Sequence, residues 1–258
     1  MKRTDERFAS GQIARDEARG CDVARPEQLP HLAHRQGQAE DERATLERKL
    51  LLLGEELDRT HRETVRMLIR IAAHRDDESA AHVKRMGLYA LHLAQCMGLD
   101  DGFCTTISFA ARLHDIGKIG IPDGILEAPE ALDGAQWRVM KMHCELGAGM
   151  LSQHTSPYLA MAADIARAHH ENWDATGYPR GLEGEAIPRA ARITRLCDSY
   201  DVLRSRRAYK TEVSHRVAVQ AILGGDARSQ PHCFDPAALA AFESGVEGFR
   251  DIFETVKE

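Results

Sequence analysis

The chain has 258 residues, room for one large domain with an appendage or for two small domains. Hydrophobic residues make up 43% and aromatics only 5%, so a mainly aliphatic core is expected, which suits a helical protein. A net charge of −6 with acids and bases well mixed disfavours a general nucleic-acid binder, whereas a small anionic ligand held by a local cluster of metals and cations stays open.

Residues 1–41 are polar, with Gly, Pro, Gln and Arg scattered through them and no periodicity. The expectation there is a disordered or irregular arm, with His31 and His34 as solvated side chains. The opening MKRTDERFASGQ has no apolar core for a signal peptide. No stretch approaches the ~18 apolar residues that a membrane span needs, so no membrane association is expected. Six cysteines, at 21, 96, 104, 144, 197 and 233, form no CxxC pair, which fits reduced thiols in a cytoplasmic protein.

From about residue 42 the pattern changes. Leu46, Leu50, Leu53, Leu57, Thr60, Thr64, Met67 and Ile71 follow steps of four and three among charged residues. This predicts a heptad-like helix over 42–75, weakened in the middle by the two threonines. Two readings stand: a helix packed on its own domain, or a dimeric helix that passes a signal onward.

The remainder reads as helices joined by short loops, and the predicted fold class is all-α. A periodic stretch over 79–97 ends at Gly98, a plausible C′ residue. Another runs over 102–114. Asp133 is placed to cap a helix towards Met142. Ser156-Pro157 supplies a cap and a proline at the first helical position, starting a helix to His170. Residues 171–188 are rich in Gly and Pro and are expected to be loop. Helices follow over 189–203, from a Ser214 cap to Leu223, and from the Asp235-Pro236 pair onward.

Thirteen histidines are many for this length, and several stand beside acids. Glu78 and His82 are four apart and share a face if helical. His114-Asp115 closes one predicted helix and His169-His170 another, His143 follows a third, and Asp198 lies within the helix after the Gly/Pro loop. Imidazole and carboxylate together suit first-row divalent metals. Eight such donors exceed the needs of one ion, so two or three ions in a helical bundle are plausible. Each pair alone is weak, and the combination with two longer segments carries the argument.

Those segments are His114-Asp115-Ile116-Gly117-Lys118-Ile119-Gly120-Ile121-Pro122 and His169-His170-Glu171-Asn172-Trp173-Asp174-Ala175-Thr176-Gly177-Tyr178-Pro179-Arg180-Gly181-Leu182. Together with Ile187-Pro188, Arg192-Ile193, Asp198, Tyr200, Asp201 and Arg207-Ala208-Tyr209-Lys210, they resemble the two halves of HD-GYP domains. The resemblance covers about 65–245. It implies an HD-domain helical bundle, a catalytic domain over 65–258, behind an N-terminal helical extension.

By position, the resemblance implies Glu78, His82, His114, Asp115, His143, His169, His170 and Asp198 as ligands for two or three divalent ions, iron or manganese. Asp115 matches the bridging carboxylate, and Glu78 favours a third ion. Asp115 and Lys118 are the implied catalytic residues. Lys118, Arg207 and Lys210 are the implied phosphate-binding cations. Gly177, Tyr178 and Pro179 form a loop that shapes the pocket or faces partner proteins, with Tyr178 read as structural and Gly177 and Gly181 as sites of unusual backbone angle.

The implied activity is hydrolysis of cyclic di-GMP to the linear dinucleotide pGpG, and on to GMP if a second cut follows. The chemistry is in-line attack by a metal-bridging hydroxide. Two alternatives remain: a cyclic-dinucleotide-binding signalling module with little turnover, and an HD phosphohydrolase for another cyclic nucleotide. The heptad-like helix suggests a homodimer. Three departures from the family pattern stand out. Arg204 occupies a place usually held by a small hydroxyl residue; it either alters guanine recognition or faces solvent, and solvent is the preferred expectation. Cys197 and Cys144, beside Asp198 and His143, are read as small buried side chains.

Overall fold

In a computed structural model, the described residues are 29–73, 79–128, 130–152, 154–205, 212–226 and 230–257. The expectations for residues 1–28, Glu78, Arg207 and Lys210 fall outside them. The described residues form ten α-helices with no strand. None of these helices is long and apolar enough to cross a membrane.

Two compact units divide the chain, residues 1–55 and 56–258. The described part of the first is helical: α1 (Leu29–Ala73) begins well before residue 42 and continues into the second unit. Residues 29–41 are therefore helix rather than arm. Pro30 sits in the first turn, where its missing N–H costs little. Of the rest, only Gly37 is a poor helix former, at about 1 kcal/mol relative to Ala. Leu46, Leu50 and Leu53 of the heptad-like stripe are exposed.

Within the second unit, α1 turns a different stripe to the core. Val65 is fully buried, and Leu68, Ile69 and Ala72 pack beside it. Leu57, Met67 and Ile71 remain exposed. The residues that seat the helix on its domain are thus not the heptad-like ones.

The core lies between α2 (Ala80–Cys96), α3 (Asp101–Ala110), α7 (Pro157–Ala168), α8 (Arg189–Arg204) and α10 (Pro236–Thr255). Many buried positions are alanine, which lets helices approach closely. The few aromatics concentrate where α2, α8 and α10 meet. Tyr89 stacks on Phe249 at 5.0 Å, and Tyr200 and Phe242 meet Phe249 edge-on at 5.2 and 4.8 Å. Such pairs contribute about 0.5–1.5 kcal/mol each beyond area burial. The core is therefore aliphatic with one aromatic cluster.

The predicted caps mostly act as caps. Asp133 accepts from the backbone of Ala135 and Gln136, and Gln136 answers with a bond to the Asp133 N–H, opening α5 (Gly134–Lys141). Ser214 caps α9 (His215–Gly224), and Asp235 caps α10 ahead of Pro236. Gly98 takes the left-handed conformation, φ 69°, just past α2. Ser156 departs from expectation: its side chain makes no capping bond to α7, so Pro157 alone marks that start. Two short helices went unpredicted, α4 (Asp123–Leu126) and α6 (His143–Leu151).

Candidate metal centre

Four helix ends and one helix interior bring the donors together. His82 lies in the first turn of α2, held there by the Ser79 cap. His114 and Asp115 occupy the sharp bend between two 3₁₀ segments, 111–113 and 116–120. His143 opens α6, His169 and His170 follow α7, and Asp198 projects from α8. Gly117 permits the bend to close. A Cβ there would lie 1.9 Å from the His143 carbonyl oxygen and 2.5 Å from the Gly147 nitrogen.

The donors fall into two groups. Asp115, His143, His169 and His170 form one, and His82, His114 and Asp198 the other, with ligand atoms in each group within 4.8 Å of one another. All seven sequence-predicted ligands that lie among the described residues belong to these groups.

Hydrogen bonds fix which ring nitrogen faces inward. Nδ1 of His114 meets the Ala111 carbonyl at 3.0 Å, and Nδ1 of His143 meets the Met140 carbonyl at 2.7 Å. Nδ1 of His169 lies 3.1 Å from the Ile165 and Ala166 carbonyls. A carbonyl only accepts, so Nδ1 carries the proton and Nε2 presents its lone pair to the centre. The three Nε2 atoms converge on one carboxylate. They stand 3.3, 3.2 and 3.4 Å from the Asp115 oxygens for His114, His143 and His169.

This arrangement fits bound cations. Oδ1 of Asp115 and Nε2 of His169 are buried, yet neither makes a well-formed hydrogen bond among the described residues. Burial would raise the Asp115 carboxyl, but the Lys118 ammonium and His114 override it and hold it well below the usual carboxylate range. Lys118 Nζ is 2.9 Å from Asp115 Oδ2. Burial lowers His143, and the Asp115 contact outweighs this and pushes it up to about 10. Burial lowers His169, and it lowers His170 further with help from His169. A proton or a metal ion is thus favoured beside Asp115, while His169 and His170 are pushed towards the neutral form.

Asp201 was matched in the sequence but given no task, and it anchors the site from behind. It is fully buried, and its Oδ2 accepts from Nδ1 of His82 at 2.8 Å. Arg85 donates to it through Nε and Nη2 at 2.6 and 2.8 Å. Burial opposes this charge, and the His82 and Arg85 hydrogen bonds hold the carboxyl far below its ordinary value. The signal was present in the spacing. Arg85 is three residues past His82, and Asp201 three past Asp198, each on the same helix face.

The Gly/Pro loop is closed by Glu171, whose buried carboxylate accepts from the backbone N–H of Arg180 and Leu182 at 2.7 and 3.1 Å. Tyr178 stacks on His170 at 4.6 Å, with Lys141 4.9 Å from its ring. Its ring thus holds the His170 ring by packing. Gly181 has the left-handed φ of 65°, as expected. Gly177 is needed for a different reason: a Cβ would meet the Asn172 nitrogen at 2.2 Å.

Arg204 corrects its expectation. It is buried rather than solvent-facing, bonds the Tyr200 hydroxyl at 3.0 Å and lies 4.2 Å from the Phe253 ring. Cys144 and Cys197 are buried, as read.

A protein-family model described as HD domain matches residues 66–236. The chain is similar to a cyclic di-GMP phosphodiesterase of Thermotoga maritima, 37% identical over 76% of this chain and 52% of that protein. It is also similar to a cyclic di-GMP phosphodiesterase of Vibrio cholerae, 41% identical over 69% of this chain and 38% of that one. The chain thus spans about half the length of the first relative and less of the second. Among solved structures, a cyclic GMP-AMP-specific phosphodiesterase of V. cholerae aligns with a TM-score of 0.50 at 19% identity, covering 75% of this chain and 49% of that one. That likeness concerns the fold.

Proposed function

Since the chain belongs to the HD domain family, with the sequence marks of its HD-GYP branch, we propose that it hydrolyses cyclic di-GMP to the linear dinucleotide, with a second cut to GMP as the further step. The observation that carries this reading is the convergence of three Nε2 atoms on the Asp115 carboxylate.

Imidazole and carboxylate donors without thiolate suit iron or manganese. Bound there, two or three such ions supply hydroxide at neutral pH and positive charge for phosphoryl oxygens. Asp115 Oδ1 faces His143 and His169, and its Oδ2 faces His114 and Lys118. Lys118, half-buried beside it, stabilises charge developing at the scissile phosphate. Arg207 and Lys210, by the family pattern, hold the ligand's phosphates. Glu78 completes the donor set for a third ion.

Tyr178 and the loop around Gly177 and Pro179 shape the pocket rim and offer a surface to partner proteins. The exposed leucines of the 42–75 helix favour a homodimer, which light scattering at micromolar concentration tests; a monomer there rejects it. All five described cysteines are unpaired, which suits a cytoplasmic setting.

The decisive experiment is anaerobic purification, iron and manganese counting, and assay against cyclic di-GMP with His114→Ala as control. Metal below one ion per chain with no turnover rejects the enzyme reading. Faster cleavage of another cyclic dinucleotide rejects the substrate and leaves the chemistry standing.

A further inference from the structure

A third cluster of ligating side chains lies outside the centre described above. Asp174, in the Gly/Pro loop, meets His232 and Cys233, from the 3₁₀ segment Pro231–Cys233 that precedes α10. Nε2 of His232 is 3.4 Å from Asp174 Oδ2, and Sγ of Cys233 is 3.8 Å from the same oxygen. The three donor atoms all lie within 4.8 Å of one another. Bonds of ~2.0 Å to nitrogen and oxygen and ~2.3 Å to sulfur give tetrahedral donor separations of roughly 3.3–3.6 Å, close to these values.

We propose that Asp174, His232 and Cys233 form a separate zinc site that clasps the Gly/Pro loop to the segment before α10. Three further features support it. The Asp174 carboxylate is already oriented: Oδ1 accepts from Thr176 N at 3.1 Å and from Thr176 Oγ1 at 2.6 Å, which turns Oδ2 to the other two donors. The two backbones are held together beside the cluster, since Trp173 N donates to the Cys233 carbonyl at 2.9 Å. A donor set of one thiolate, one imidazole and one carboxylate is also softer than the central set and prefers zinc to manganese. His232 is exposed, so a fourth coordination position faces solvent and takes water or a small anion.

The clasp acts on the loop that begins at His169-His170. Tyr178 N bonds the His170 carbonyl at 3.1 Å, so an ion at Asp174 restrains a segment directly joined to two central ligands. Zinc bound there therefore tunes the centre from outside it.

Cobalt(II) reports the site without an activity assay, because thiolate coordination adds a near-ultraviolet charge-transfer band that nitrogen and oxygen donors do not give. The full chain, stripped of metal, is titrated with cobalt(II) and then with zinc(II). The band is expected in the wild type and in Cys144→Ser, which controls for the thiol 3.4 Å from His143. It is expected to vanish in Cys233→Ser, to need at least about tenfold more cobalt in His232→Ala, and to be displaced by zinc. His232 is exposed, so that variant leaves the fold intact. No band in the saturated wild type, or a band unchanged by Cys233→Ser or His232→Ala, overturns the proposal.

Discussion

Replacing Asp201 by Asn tests whether the buried carboxylate behind His82 governs both stability and metal binding. The substitution keeps the shape and one acceptor oxygen but removes the charge that faces Arg85, itself 1% exposed. Breaking one side of a buried ion pair costs about 3–5 kcal/mol. The lower end applies here. Arg85 keeps the Val256 carbonyl at 3.0 Å, the Ser205 hydroxyl at 3.1 Å and the Phe253 ring at 4.9 Å. A loss of about 3 kcal/mol moves the folding equilibrium by roughly two orders of magnitude. His82 also loses its charged Nδ1 acceptor, and such second partners are worth about 10–100-fold in metal affinity. Urea unfolding of the metal-free protein reads the first effect, and competition with a chelator reads the second. The double variant Arg85→Met with Asp201→Leu should recover most of the stability, because an apolar pair replaces the buried ions, while metal affinity stays low. Asp201→Asn within about 0.5 kcal/mol of wild type, with unchanged metal affinity, would refute the reasoning.

Four further outcomes are expected. Gly117→Ala should lower bound metal sharply by elemental analysis, because its Cβ enters the His143 backbone, whereas Gly124→Ala, with open space around it, should bind metal normally. Ala175→Gly should stabilise the chain by about 1 kcal/mol in chemical denaturation, since Ala175 holds a left-handed φ of 65° that glycine adopts without strain. Tyr178→Phe should turn over substrate within about threefold of wild type, because stacking on His170 survives, while Tyr178→Ala should lose at least about tenfold. The Asp201 carboxyl titrates lower folded than unfolded, so its ion contributes stability above about pH 4 that is lost as the pH falls through the folded value; metal-free unfolding at pH 3 against pH 7 measures this, and the wild type should lose more than Asp201→Asn.

Most candidate ligands were legible because they sit at helix boundaries that caps and glycines announce, and because His114-Asp115 and His169-His170 are contiguous; Asp198, inside α8, was legible through the resemblance. Several helices were legible for the same reason, from caps such as Asp133 and Asp235. What stayed hidden depends on residues far apart in the chain. Arg204 reads as a surface cation until Tyr200 and Phe253 are seen to enclose it. Asp201 needs Arg85, more than a hundred residues away, before its charge makes sense in a core. The α4 and α6 helices have no side-chain cap to mark their starts. The heptad-like stripe of α1 was visible, but Val65, Leu68 and Ile69, which seat the helix, break its rhythm and went unread.

His114 and Asp115 are neighbours in the chain, yet His114 serves one donor group and Asp115 the other. The two groups are therefore tied by a single peptide unit, with consecutive Cα atoms fixed about 3.8 Å apart by covalent geometry. Helices can slide on one another by a fraction of an ångström at small cost, whereas a bond cannot stretch. A shift of the surrounding helices would therefore move the other five candidate donors about a pair whose backbone spacing stays fixed.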